Sequence, residues 1–442
     1  MTQIVTDSAN RPAPEVTALS PEAWQKRLQQ IAADPRMSED NTTISKASVM
    51  KFAKLPLFIG LVGLIVTIIG AFTVSDVHAL AAFEVGLFTA LAISLGGMFW
   101  VMVFHSLNAG WSITLRRQFE NLGVVIWLPV IMLIVVAMIE IFSHGILLRW
   151  LDPHLESHLL EVKAPYLNST RLIGFLAVYS IAWLAISRCF YGWSRRCDET
   201  GDRRLGRKSR FVAGFAIPVF ALTTTFCAFD YLMSPDYRFF STMWGVYYFA
   251  SCGLSGVSAV AIIAYLLRRA GKLEGLVGEE HFHDLGKLVF AFTVFWAYIT
   301  FSQYFLIWYS NIPEETAWFY NRQEFGYNWL FWVMIIGHFI LPFLILISRV
   351  TKRNLGTLAL MSCYMLLMVV LDMVWILRPM VDFASPEGTA GSGIATIWLD
   401  IAGVVGVLGI YAGVVAMQIA KGPLLPIKDP MLHEAMKHKN YV

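Results

Sequence analysis

Charge is what this 442-residue sequence has least of: Asp, Glu, Lys and Arg together make up 15% of it, against roughly 25% in ordinary soluble domains. A chain that is 57% hydrophobic and so poor in charge cannot cover a water-facing surface, which excludes a soluble globular protein. Cysteine is scarce and scattered. Cys189, Cys197, Cys227, Cys252 and Cys363 form no CxxC, CxxCH or cluster-like spacing, so iron–sulfur, structural zinc and covalently attached haem lack a ligand set. Residues 1–50 contain no apolar core of a cleavable signal, and the first apolar run is expected to target itself. Also missing are the alternating segments of about ten residues that mark a transmembrane barrel.

What is present is a series of continuous apolar runs near 55–75, 83–106, 122–143, 171–190, 211–232, 242–267, 285–310, 328–348, 355–377 and 396–419. Each is close to the roughly 20 residues a helix needs to cross a bilayer. The chain is therefore an all-α, polytopic membrane protein with about ten transmembrane helices. Ten is even, so both termini share a side. Lys and Arg near the span ends fall twenty-four on one side and six on the other, and basic residues are retained in the cytoplasm, which assigns both termini there. Lipid is the expected partner; no nucleic acid is expected.

Faint internal repetition organises the spans. Asn121-Leu122-Gly123 opening span three echoes Asp284-Leu285-Gly286 opening span seven, and Ile186-Ser187-Arg188 closing span four echoes Ile347-Ser348-Arg349 closing span eight, at offsets of 163 and 161. Asp230 and Asp372 each lie about twenty residues beyond an arginine, Arg210 and Arg353. Two parallel four-helix bundles follow: residues 81–233 (spans two to five) and 234–380 (spans six to nine). Residues 1–50 are a cytoplasmic arm, with Ser20-Pro21 opening a short helix. Residues 51–80 form a peripheral first helix. Residues 381–442 hold the tenth span and a cytoplasmic tail. The loop 144–169 is the longest external connection and carries His144, His154 and His158 at spacings too irregular for a metal site; it is expected to cover a neighbouring subunit.

Polar groups inside the apolar runs are the candidate functional residues, because they are costly in hydrocarbon and turn toward a bundle interior or a water-filled cavity. Wound at about 100° per residue, span seven places Asp284, Lys287, Tyr298, Ser302 and Tyr309 in one stripe, expected to face protein. His338 falls near the centre of span eight, with Asp372 in the outer half of span nine and Asp230 just inside the outer boundary of span five. Glu140 and His144, an i, i+4 pair at the outer end of span three, either pass protons or form an interfacial cap. The proposed proton pathway runs from Asp284, Lys287, Tyr298 and Ser302 through His338 toward Asp372 or Asp230. Lys287 has a plainer alternative as a snorkelling anchor paired with Asp284. His338 faces no second mid-membrane imidazole, so a b-type haem is disfavoured.

The stretches FDYLMSPDYRFFSTMWGVYYF (229–249), LGKLVFAFTVFWAYITFSQYFLIWYSNIPEET (285–316) and GHFILPFLILISR (337–349) resemble the ActF subunit of bacterial alternative complex III, a quinol:electron-acceptor oxidoreductase. The resemblance implies a subunit similar to the NrfD-like quinone-binding subunit, with two four-helix bundles, in the bacterial inner (cytoplasmic) membrane. It also implies an assembly in which iron–sulfur clusters and c-type haems belong to partner subunits and quinone or quinol is the small molecule handled. Whether this chain itself binds quinol, or only conducts protons, is left open by the resemblance. The competing readings are a proton-coupled secondary transporter, which would favour inverted repeats and broken helices, and a purely structural subunit.

Overall fold

The computed structural model describes residues 20–324, 326–384 and 396–440. Within them the chain is helical and includes ten helices long and apolar enough to cross a membrane. Their starts are written in short polar residues whose side chains accept the otherwise unpaired first-turn amides. Ser45 caps Lys46–Thr73, Ser75 caps Asp76–Ser106, Asn168 caps Ser169–Thr200, Asp202 caps Arg203–Ala228 and Asn354 caps Leu355–Leu377. Gly201, at φ +69°, ends span four. Span three, Gly110–Phe142, breaks at Val125 and Ile126. Pro129 follows within the first turn of the continuation and has no N–H to carry the ladder through. Span two starts at Asp76, earlier than the boundary at residue 81 read from hydropathy, because Asp76, His78 and Glu84 dilute its first three turns.

Spans two and six form the centre. Of the residues in their apolar stretches 89% and 78% are buried, against 22% in span one. They approach backbone to backbone: a Cβ on Gly96 would lie 2.0 Å from the Cys252 carbonyl oxygen. Trp100 Nε1 donates to the Gly253 carbonyl at 2.9 Å, and the Tyr248 hydroxyl donates to the Phe88 carbonyl at 2.9 Å. Around this pair, spans three and five pack on span two, while spans seven and nine pack on span six. Span one packs along span ten, which lies against span two.

Both terminal segments meet at one end, with the arginine-rich start of span five at 203–210 and the 270–279 loop. Ser20 caps the helix Pro21–Ala32, and Trp24 Nε1 holds the Gly201 carbonyl at 3.0 Å. Thr42 accepts the Leu424 amide at 2.8 Å. The tail from Ala420 to Asn440 crosses both bundles. In the first, Asp429 pairs with Arg116, Leu424 accepts from Gln118, and Asp198 accepts the Ile427 amide; in the second, His438 Nε2 lies 2.6 Å from Asp284. Of the arm 1–50, the first nineteen residues lie outside the described residues, as does 385–395 before span ten.

The loop 144–169 packs against the 234–237 connection between spans five and six. Lys163 Nζ donates to the Tyr237 carbonyl at 2.6 Å, and Trp150 Nε1 donates to Ser234. Burial holds the Lys163 ammonium below its ordinary pKa, with Asp236 opposing the shift. No group of three or more His, Cys, Asp or Glu suited to a metal occurs among the described residues.

The glycine contact sets a test. Gly96→Leu drives a side chain into the Cys252 backbone, where overpacking costs typically 1–3 kcal/mol and can block assembly; Gly174, where an added Cβ meets nothing within 4 Å, is the control. Size-exclusion profiles and thermal unfolding in detergent should show Gly96→Leu collapsing and Gly174→Leu unchanged. Equal stability of the two variants would contradict the packing.

Candidate functional site

Span seven, Glu279–Ser310, turns a different face inward from the one its obvious polar residues mark. Val289, Thr293, Trp296, Gln303 and Ile307 are buried, a spacing of four and three residues that defines one helical face. At about 100° per residue this face lies roughly 160° round the helix from the Asp284–Tyr309 stripe. Tyr298 is 66% exposed and Tyr309 76%, and Ser302 is half-buried. The expectation that this stripe faces protein is corrected by the structure. Phenol rings sit comfortably on an outer helix surface, whereas the inward polar content is carried by Thr, Trp and Gln.

Asp284 is buried, but by the tail. It accepts from Asn440 at 3.2 Å, pairs with His438, and forms an ion pair with Lys287, whose side chain is 48% exposed. That is the geometry of an anchored lysine. Between Asp284 and His338 the described inward residues of span seven give no continuous polar line, since Thr293 donates to its own helix at Val289. The route through Tyr298 and Ser302 is therefore not formed by these side chains.

The second bundle has its polar centre where spans six, seven, eight and nine meet. Asp372 of span nine is fully buried and accepts from Tyr247, from Ser251 Oγ at 3.0 Å and from Trp296 Nε1 at 3.1 Å. All three donors are neutral, and no cation pairs with Asp372 among the described residues. The other face of Trp296 carries His338, ring on ring at 3.7 Å between centroids and 15° between planes. His338 is fully buried, with both ring nitrogens unpartnered. It sits in the π-helical stretch Val333–Ile340, a local widening of the helix often found at functional positions. The structure thus joins His338 to Asp372 through Trp296, a residue that polarity alone does not single out.

Beside this centre lies a cavity of about 540 Å³, walled by Trp244, Trp296, Trp318, Phe331, Phe339 and Tyr298 among others. It opens on the bundle surface between spans seven and eight, where Tyr298, Phe301 and Ile340 are exposed. Trp244 Nε1, Thr300 Oγ1 and Gln303 Nε2 belong to its lining and have no hydrogen-bond partner. Mostly apolar walls with a few convergent polar groups are the usual form of a small-molecule site. Arg322, at the end of the bundle opposite the chain termini, is buried under Trp318 and donates to the carbonyls of Trp318, Trp375 and Ile376. Burial lowers its pKa well below the usual guanidinium value.

The first bundle holds a related but neutralised centre. Asp230, in the π-helical turn Phe229–Met233, accepts from Tyr179 at 2.5 Å and Tyr166 at 3.0 Å and pairs with Arg171 at 2.8 Å. Burial first, and the Asp230 charge second, push the Tyr166 hydroxyl well above its ordinary pKa, so it stays a donor. The guanidinium also lies over the Tyr166 and Phe175 rings. Glu140 accepts the Leu147 and Leu148 amides, capping the loop start. The helix ends at Phe142, and His144, at φ +56°, is exposed. The i, i+4 relation read for Glu140 and His144 is broken by that end. Sequence reading passed over Glu84, a buried carboxylate in the field of Glu140; its signal was an acid eight residues inside a helix that starts at Asp76.

No known family's sequence profile matches the chain, and no characterised protein matches it in sequence. The fold defines a multi-pass α-helical membrane protein.

Replacing Asp372 tests the polar centre. Asp372→Leu strands three buried donors at roughly 1–3 kcal/mol each, whereas Asp372→Asn keeps an acceptor. Detergent-solubilised Asp372→Leu should unfold well below wild type and Asp372→Asn should fall between; identical midpoints for all three would contradict the network.

Proposed function

We propose that this chain is an integral membrane subunit of a respiratory quinol:acceptor oxidoreductase complex, in which its second bundle handles protons released by quinol oxidation. The observation that supports it best is Asp372. A carboxylate at membrane depth normally pairs with a cation, as Asp230 does with Arg171, because an isolated charge there is costly. Asp372 instead meets only neutral hydroxyl and indole donors, so taking up a proton is its route to neutrality. It stands next to an aromatic cavity of about 540 Å³ that opens on the bundle surface between spans seven and eight and has room for a substituted ring. The resemblance of 229–249, 285–316 and 337–349 to the ActF subunit of alternative complex III supports the same reading. In it, this chain sits in the bacterial cytoplasmic membrane with both termini inside. Beside it are an NrfD-like quinone-binding subunit, an iron–sulfur subunit and c-type haem subunits.

The division of labour follows from chemistry. Quinol oxidation releases two protons and two electrons; electrons pass to centres in partner subunits, and protons need titratable groups across the apolar layer. His338 and Asp372, joined through Trp296, are the groups proposed for the second bundle. Lys287, already paired with Asp284 at the basic end, is given no part in the transfer. A proton-coupled transporter is the second reading, but it would favour inverted halves, and the echoes in this chain run parallel.

Purification from native membranes in mild detergent should recover the chain with haem- and cluster-bearing partners. In the reconstituted complex, Asp372→Asn and His338→Leu should lower the protons moved per quinol oxidised by half or more with assembly intact, while Lys287→Met leaves the ratio unchanged. A chain recovered alone and active, or an unchanged ratio in both bundle-two variants, would overturn the proposal.

A further inference from the structure

A second cavity, of about 210 Å³, opens at the basic end between the close of span two, the start of span three, the first turns of span five and the tail. Its character is the reverse of the aromatic one. Arg203, Arg207 and Arg210 recur at i, i+4, i+7 on the face of span five that lines it, a spacing that stacks three guanidinium groups along one side. Arg116 forms part of the opposite wall, buried and held by Glu120 and Asp429. His105 completes the lining; it is 9% exposed, and its Nε2 has no partner.

Arg207 and Arg210 have no ion pair or hydrogen bond among the described residues, and both are exposed. Asp429 and Glu434 also line the cavity, but Asp429 is occupied by Arg116 and the Met431 amide. The guanidinium groups of Arg207 and Arg210 thus face the hollow unpaired, beside an Arg116 already held by Glu120 and Asp429. Gly206 lies between the arginines on the lining face, and an added Cβ there meets nothing within 4 Å. The glycine keeps the hollow open.

We propose that this cavity binds a phosphate group, and that its source is the headgroup of an anionic phospholipid in the leaflet at the basic end. Guanidinium groups match phosphate oxygens in fork geometry, and His105 Nε2 is a further polar contact at the base. Depth favours the lipid source. The arginines occupy the first two turns of span five, and exposed Phe211 and Phe215 follow immediately, so the cavity stands at headgroup level above a surface fit for acyl chains. Basic pockets between spans on the cytoplasmic side are known to take such headgroups. The inference is independent of the quinol reading.

The full chain, delipidated in neutral detergent, is titrated with phosphatidylglycerol, phosphatidylcholine or inorganic phosphate and followed by thermal unfolding and native mass spectrometry. Phosphatidylglycerol should raise the melting temperature and appear as a retained adduct, with no effect from phosphatidylcholine or millimolar phosphate. Arg207→Ala with Arg210→Ala should reduce adduct retention at least tenfold. Gly206→Leu, which fills the hollow without striking the backbone, should do the same while melting like wild type in the absence of lipid. Stabilisation by inorganic phosphate alone would overturn the lipid source. Undiminished phosphatidylglycerol retention in both variants would overturn the site.

Discussion

The contact of span two with span six at Gly96 and Cys252 is the constraint on which the rest depends. Hydrocarbon gives two helices no hydrophobic reason to associate, so close approach of small residues supplies packing and lets hydrogen bonds span the interface. Trp100 to Gly253 and Tyr248 to Phe88 are such bonds. With the two central helices fixed, each bundle is assembled on its own side, and the buried carboxylates are held where their neighbours can reach them. Tyr247 and Ser251, both on span six, reach Asp372 because that helix cannot rotate away from Gly96.

The two bundles have taken one plan in different directions. Each buries an aspartate under a tyrosine hydroxyl, Asp230 under Tyr179 and Asp372 under Tyr247. In the first bundle Arg171 neutralises the aspartate and the 144–169 loop closes over it through Tyr166. A paired and covered charge holds a structure together. In the second, the cation is replaced by indole and hydroxyl donors, and a stacked, unpartnered imidazole lies one ring away beside an open aromatic cavity. That asymmetry is why the proposed chemistry is assigned to the second bundle.

Much of the fold was legible because its signals are long. Ten apolar runs and the Ser20-Pro21 helix start all reflect local chemistry. The site was legible in part. His338 and Asp372 stood out as polar groups in apolar runs, and both are fully buried. Their connection was not visible, because Trp296 counts as an apolar residue in hydropathy and acts here as both donor and stacking platform. Span seven departs from expectation for the same reason: tyrosine reads as polar yet lies on the outer surface, while Thr293 and Gln303, less conspicuous, line the interior. Asp284 was correctly read as buried, but what covers it is a tail more than 150 residues away, which no local pattern announces.

Infrared difference spectroscopy of the Asp372 carboxyl stretch, recorded as quinol is added to the reconstituted complex and compared with Asp372→Asn, tests the central claim most directly. The proposed role predicts a carboxyl band that shifts or changes intensity on quinol oxidation in wild type and is lost in the variant. A spectrum in which every quinol-dependent carboxyl change survives in Asp372→Asn would contradict it.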